Sequence, residues 1–261
     1  MKLYKYQGAG NDFLIINNLS GEIKLSTDDI RLLCNRHLGI GADGLILLNK
    51  GHSGVNFCME YFNSDGSGGM MCGNGARSAV AFAKDLGFTS FNFMASDGFH
   101  SAEIISDSGI EKHICVKMCD VTEFYEDGKD DYFLNTGTRH FVRFRESVPL
   151  INIDEEAIAV RYASRFAPQG VNVNYVTFED GILHVNTYEK GVEAVTMACG
   201  TGIVASTLAY CLKNGFIKGE IPVRTTGGNF TVNYEKCGNK FINIYLTGPV
   251  RFVAIIETPI V

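Results

Sequence analysis

Two short stretches of this chain read alike, and together they constrain its architecture more than any other feature. Residues 70–77 run Met-Met-Cys-Gly-Asn-Gly-Ala-Arg, and residues 198–202 run Ala-Cys-Gly-Thr-Gly. Each sets a cysteine, Cys72 or Cys199, on a glycine-rich turn directly before an apolar run. The first run (Ala79, Val80, Ala81, Phe82, Ala83) reads as a helix stopping near Gly87. The second (Ile203, Val204, Ala205, Leu208, Ala209) stops at Gly215. Both thiols are therefore expected at a helix N-terminus, where outward-pointing N–H groups favour a thiolate and can hold an anion. The cysteines stand close to half of the 261 residues apart. After each, the pattern proceeds helix, strand, Gly turn, strand, strand. Matching order at a half-chain period predicts a duplicated α+β unit, with a site built between the halves.

The rest of the pattern fits that plan. Strands are expected over 13–16, 45–48, 56–62 and 91–93, with two more ending at Val116. In the second half they are expected over 173–178, 182–187, 221–223, 230–234 and 241–245. Ser26 reads as the cap of a helix through Ile30, Leu33 and Cys34. Residues 119–131 are charged and strand-poor, so the junction is placed at their start. This divides the chain into 1–117, with the tail 252–261 packing back on it, and 118–251.

Composition narrows the class. Hydrophobic residues make up 46% and charged residues 20%, enough for a folded core. No apolar run reaches the roughly 18 residues of a membrane span, and the first residues lack the apolar core of a signal peptide, so a cytoplasmic protein is expected. A net charge of −6 without a basic stripe argues against nucleic acid as a partner. The eight cysteines include no C-x-x-C pair, and reduced thiols are expected, most of them acting as small buried hydrophobes. Cys115 and Cys119 have C-x-x-x-C spacing, but in a strand-like stretch with no second ligand pair, so no metal site is expected.

Four readings of the two cysteines compete. They could be core residues at helix starts, with the glycines serving only as turns. One could be a nucleophile with a histidine base such as His37 or His140, but no such local signature surrounds either, and the second copy is then unexplained. They could be a redox pair, which is uncommon without C-x-x-C. Or they could be two acid/base groups for proton transfer at a stereocentre, one removing a proton and the other delivering one to the opposite face. Thiols suit both roles, with unperturbed pKa values near 8.5. The helix N-termini at Gly73-Asn74 and Gly200-Thr201 would then clamp a substrate carboxylate and stabilise its enolate-like form. This last reading uses every repeated feature.

At these residues the sequence resembles the diaminopimelate epimerase family of cofactor-independent, two-cysteine amino-acid epimerases. The resemblance runs in order through Tyr-Gln-Gly-Ala-Gly-Asn-Asp-Phe (6–13), Gly-Ile-Gly-Ala-Asp-Gly-Leu-Ile (39–46) and Phe-Asn-Ser-Asp-Gly-Ser (62–67). It continues through Met-Cys-Gly-Asn-Gly-Ala-Arg (71–77), Gly-Val-Asn-Val-Asn (170–174), Tyr-Glu-Lys-Gly (188–191) and the second cysteine turn. The resemblance implies an α+β fold of two pseudo-symmetric domains, each a strand-rich sheet around a central helix, with the active site in the cleft between them. It implies interconversion of LL- and meso-diaminopimelate, as in lysine and cell-wall precursor synthesis, without pyridoxal phosphate or metal. Cys72 and Cys199 would be the acid/base pair, and Asn11, Asn63 and Asn172 would contact substrate. Gly73, Asn74, Gly200 and Thr201 would form the carboxylate clamps. Glu189 would touch substrate and help set the catalytic pKa, with His140 acting in the same tuning. A homodimer is a further family-level expectation.

Three positions depart from the family pattern. Lys190 stands where an arginine usually binds the substrate's distal end, keeping the charge but losing the planar fork. Thr136-Gly137-Thr138-Arg139-His140 replaces a Gly-Asn-Pro-His or Gly-Ser-Pro-His segment, and Val195 stands where a glutamate is usual. The thiols and both clamps are untouched. Alternatives to diaminopimelate epimerisation are therefore racemisation of another amino acid, such as histidine, or a binding descendant that does not turn its ligand over.

Overall fold

The computed structural model describes residues 1–52, 54–69, 71–146 and 154–259. Met70 of the first cysteine motif lies outside the described residues, as do 147–153 and 260–261 of the two expected halves. The chain divides into two compact units, Met1–Val116 with Thr247–Val261, and Lys117–Leu246.

In the first unit the elements are β1 (Lys2–Gly8), β2 (Asn11–Asn18), α1 (Thr27–Cys34), β3 (Gly44–Lys50), β4 (Phe57–Asn63), α2 (Gly73–Asp85), β5 (Phe91–Ala95), β6 (Gly98–Asp107) and β7 (Glu111–Lys117). Neighbouring strands pair antiparallel except where a helix intervenes: β2 with β3 across α1, and β4 with β5 across α2, run parallel. Parallel neighbours require such a crossover, so the helices follow from the pairing. The later residues of the long C-terminal strand pair with both β7 and β1, closing the sheet on itself.

Alternation explains which face each strand residue takes. Phe13, Ile15, Ile46 and Leu48 pack with Ala76, Ala79, Val80 and Phe82 of α2. Leu14, Ile16, Leu45 and Leu47 pack on the other face with Ile30 and Leu33 of α1. A strand covered on both faces reads as a continuous apolar run, as Phe13-Leu14-Ile15-Ile16 does. Helix α2 is buried without a break from Asn74 to Ala83, as a helix enclosed by sheet must be. Ser26 caps α1 with a capping box to Asp29, as its sequence predicts.

The second unit repeats the order. It holds β8 (Phe124–Glu126), β9 (Asp131–Asn135), β10 (Arg139–Phe144), α3 (Asp154–Arg161), β11 (Asn172–Glu179), β12 (Ile182–Glu189), β13 (Ala194–Thr196), α4 (Gly200–Asn214), β14 (Lys218–Thr225), β15 (Gly228–Cys237) and the start of β16 (Lys240–Glu257). Again the parallel pairs, β10 with β11 and β12 with β14, straddle helices α3 and α4, and the rest run antiparallel. Phe141, Val173, Tyr175 and Tyr188 face Ala157 of α3, while α4, buried from Gly202 to Ala209, lies against the opposite face. Gly215 ends α4 at φ 71°, a left-handed cap that suits glycine.

Three features differ from the sequence reading. Strands β9 and β10 occupy 131–144, where charged and turn residues mask the alternation. Helix α3 has too weak an amphipathic pattern to be read from sequence. The last strand does not end at 245: it runs on through Gly248-Pro249 to Glu257. Gly-Pro ordinarily marks a turn, but here both residues lie in the ladder with β7, Gly248 opposite Ile114 and Pro249 opposite His113, before the pairing with β1 begins at Arg251. No described helix is long and apolar enough to cross a membrane.

Candidate active site

Each unit carries one of the two cysteine turns at the head of its buried helix. In the first unit Cys72 is the N-cap of α2, with extended backbone (φ −120°, ψ 116°). Its Sγ accepts the Gly75 N–H at 3.4 Å, and its carbonyl accepts the first helical bond, from Ala76 N–H, at 2.7 Å. Gly73 and Asn74 open the helix, so their amides point out of its positive end. Arg77, one turn on and fully buried, donates from Nη2 to Asn74 Oδ1 at 2.6 Å and from Nη1 to the Gly73 carbonyl at 3.4 Å.

The two asparagines of this unit sit at strand ends. Asn63, ending β4, accepts from Tyr61 Oη at 2.8 Å and donates to Ser67 Oγ at 2.9 Å. Asn11 opens β2, and its Oδ1 is buried with no partner among the described residues. The loop beside it is pinned by Asp12, which binds Lys5 at 2.8 Å and Arg36 at 2.7 Å. Burial works to raise the Asp12 pKa, but the bonds from Arg36 and Lys5 win and hold it well below the usual carboxylate range.

In the second unit Cys199 caps α4 (φ −114°, ψ 111°), and its Sγ lies 3.5 Å from Thr201 Oγ1. A polar network leads inward from there. Thr201 Oγ1 is 3.0 Å from His140 Nε2, and Thr138 Oγ1 lies 2.9 Å from the same nitrogen and 3.1 Å from Thr201 Oγ1. On the other side of the ring, Asn174 Nδ2 lies 3.0 Å from Nδ1 and donates to the Phe141 carbonyl at 2.9 Å. Thr187 Oγ1 donates to Asn174 Oδ1 at 2.8 Å. Because the Phe141 carbonyl can only accept, Asn174 must turn its amide nitrogen toward it and toward His140. Nδ1 is then the acceptor, and the neutral ring carries its proton on Nε2, aimed at the two threonine hydroxyls. Burial drives the His140 pKa down to about 3, and the Lys190 charge lowers it further; the Asn174 N–H turned toward Nδ1 also favours the neutral ring.

Strand alternation assembles this set. His140 on β10 pairs in register with Asn172 on β11, and Asn174 with Thr187 on β12, so all lie on the face turned to α4. Asn172 accepts the Lys190 N–H at 2.8 Å and reaches Thr138 Oγ1 from Nδ2 at 3.3 Å. Glu189, ending β12, is half-buried, and this desolvation raises its pKa; hydrogen bonds from Thr196 and from the Cys199 thiol pull it back. Thr196 comes within 3.0 Å because the short β13 pairs with β12 at this point. Gly202 allows α4 to approach so closely: a Cβ there would fall 2.5 Å from Asn174 Oδ1 and 2.9 Å from Thr187 Oγ1. Gly202→Ala is expected to destabilise the protein by about 1–3 kcal/mol through overpacking. Urea unfolding checks this; an unchanged midpoint would contradict the contact.

Two of the three departures, Arg139 and Lys190, meet at Gln169, and the third stands apart from it. Arg139 alternates away from His140, toward α3: its Nη1 donates to the Phe166 carbonyl at 3.2 Å and to Gln169 Oε1 at 3.1 Å, and its guanidinium lies over Phe133. Lys190 Nζ donates to the Gln169 carbonyl at 3.3 Å. Val195 is exposed on β13. Sequence reasoning assigned no role to Arg77, Asn174, Thr187 or Thr196. The i, i+2 spacing of Asn172 and Asn174 was a signal for one of them, since it puts both on one strand face. Among the described residues no group of three or more His, Cys, Asp or Glu is placed to hold a metal ion.

The family model for diaminopimelate epimerase matches residues 3–118 and 132–253. The diaminopimelate epimerase of Flavobacterium psychrophilum is 41% identical over 258 residues, covering 97% of this chain and 98% of that one. The diaminopimelate epimerase of Hydrogenobaculum sp. is 39% identical over 232 residues, covering 81% and 83%. Among solved structures, the Bacillus anthracis phenazine biosynthesis protein of the PhzF family superposes with a TM-score of 0.75 at 13% identity, covering 99% of this chain and 98% of that one; at that identity the likeness is one of fold. The identity to the two epimerases extends over most of the chain, and with the family match, which spans both cysteine turns, it shows that the chain belongs to the diaminopimelate epimerase family.

Proposed function

We propose that this protein epimerises LL-diaminopimelate to meso-diaminopimelate by a two-base mechanism in which Cys72 and Cys199 are the proton-transfer groups. The observation that carries the reading is the matched pair of helix heads: in two units of the same element order, the central helix opens on a cysteine N-cap. Inversion by proton transfer needs a base and an acid on opposite faces of the substrate α-carbon, and the reading assigns one face to each cysteine. One thiolate takes the α-proton; the C–H electron pair moves into the carboxylate as an enolate-like anion. The other thiol then gives its proton to the opposite face and is left as the thiolate. Amides of Gly73 and Asn74, and of Gly200 and Thr201, at two positive helix ends stabilise the charge that develops on the carboxylate.

The supporting groups take roles that follow from their protonation. Glu189, with a raised pKa and the Cys199 thiol as a hydrogen-bond donor, accepts the proton when Cys199 ionises. His140, held neutral, donates from Nε2 toward Thr201 and steadies the hydroxyl that faces Cys199 Sγ. Asn11 Oδ1, buried without a partner among the described residues, suits a substrate ammonium, since an unmade buried bond costs about 1–3 kcal/mol. The reading also gives Asn63 and Asn172 substrate contacts, and Lys190 the distal carboxylate. The family resemblance adds a homodimer in a cytoplasmic setting to this reading.

The test is α-proton exchange in heavy water, under reducing conditions, followed by NMR. Meso-diaminopimelate is offered beside single-centre L-amino acids including histidine. Exchange with diaminopimelate alone is the expected result. Exchange with another amino acid instead would keep the two-thiol chemistry and move the substrate, and no exchange with any would overturn the catalytic reading.

A further inference from the structure

We propose that Arg77 is the positioning residue of the first cysteine turn, fixing the Asn74 carboxamide and keeping a buried positive charge close to Cys72. The inference rests on the reading of Cys72 as a proton-transfer group. Three observations carry it. Arg77 is fully buried in the enclosed helix α2, where a charge is costly unless something compensates it. Its two terminal nitrogens go to Asn74 Oδ1 at 2.6 Å and the Gly73 carbonyl at 3.4 Å, the two residues that follow Cys72 and form the proposed clamp. The Cys72 thiolate also acts on it as a favourable counter-charge. Burial lowers the Arg77 pKa to about 10, so the guanidinium is still charged at neutral pH.

The two effects are separable. A bond of 2.6 Å to Oδ1 fixes the Asn74 side chain, so that its amide nitrogen faces away from Arg77. The charge acts on Cys72: an opposite charge nearby favours the ionised thiol. No lysine can reproduce both, because an ammonium keeps the charge but lacks the planar fork that bonds Asn74 and Gly73 together.

The experiment reads the pH dependence of iodoacetamide alkylation at Cys72, resolved by mass spectrometry of the peptide that carries it, and needs no substrate. Arg77→Met is expected to move the midpoint up by about one unit or more, slowing alkylation roughly tenfold at neutral pH. Arg77→Lys is expected to keep the midpoint near that of the parent protein but raise KM several-fold with a smaller change in kcat, since the clamp is loosened while the charge remains. Should Arg77→Met not fold, Arg77→Gln carries the same expectation, with an uncharged donor left for Asn74. An unchanged midpoint in a folded, uncharged variant would overturn the charge role, and an unchanged KM in Arg77→Lys would overturn the clamp role. Failure of the substrate-exchange test would leave the alkylation result standing, so the two readings fail separately.

Discussion

Replacing Cys199 with serine is expected to lower the rate of stereochemical inversion by about three orders of magnitude, and Cys72→Ser to do the same. A serine hydroxyl is far too weak an acid to be held as the alkoxide at neutral pH, so it can neither take the α-proton as a base nor be regenerated in step with the other thiol. Loss of folding does not account for the effect. Both cysteines are helix N-caps, and serine is among the best residues for that position; at Cys72 a hydroxyl can still accept the Gly75 N–H. The two variants should differ in what they retain. The surviving thiol still meets one face of the α-carbon, so each variant should wash deuterium from solvent into one stereoisomer with retention, and the two should choose opposite stereoisomers. Inversion at the parent rate in either variant would sink the two-base reading. So would exchange of the same stereoisomer by both, since two groups on one face cannot invert a centre.

Most of this could be read from the sequence because the informative residues are local. A cysteine followed by glycines and an alanine-rich run specifies a capped, enclosed helix within some fifteen residues, and both copies formed as the pattern indicates. Ser26 and Asp29 fix the start of α1 in the same way. What the sequence hides is set by pairing across the chain. His140 lies in a stretch with no clear alternation, and its surroundings come from Asn174 and Thr187 on two other strands. Nothing within five residues of His140 announces a neutral imidazole. Arg139 misleads for the same reason: next to His140 it looks like part of one cluster, but strand alternation turns it to the opposite face, where it organises residues 166–169. That loop in turn receives Lys190 through the Gln169 carbonyl, so the lysine that departs from the family pattern is steadied by the arginine that also departs from it.

The buried imidazole should make the protein's stability depend on pH in a way that one substitution removes. His140 titrates near 6.5 in the unfolded chain but only near 3 in the folded one, because burial disfavours its charged form. Between those values the unfolded chain binds a proton that the native protein refuses. Stability from this group is therefore complete above about pH 6.5, falls as the pH drops, and levels off below about 3. At about 1.36 kcal/mol per unit, the loss is roughly 2 kcal/mol by pH 5 and approaches 5 kcal/mol at the lower limit. Asp12, held low by Arg36 and Lys5, adds a loss in the same direction at more acid pH. Glu189 and Asp43, both raised by burial, act in the opposite sense, since protonating them favours the folded state. Comparison with His140→Gln isolates the histidine: glutamine keeps a donor for Thr201 and Thr138 but does not titrate. Between pH 6.5 and 5 the urea-unfolding free energy of the parent should fall more steeply than that of the variant by about one proton's worth of slope. Parallel curves would mean that His140 takes up its proton in the folded state. In that case the hydroxyl facing Cys199 would rest on an imidazolium, and a limb near pH 6.5 would appear in the kcat/KM profile of the parent. A neutral donor predicts no such limb.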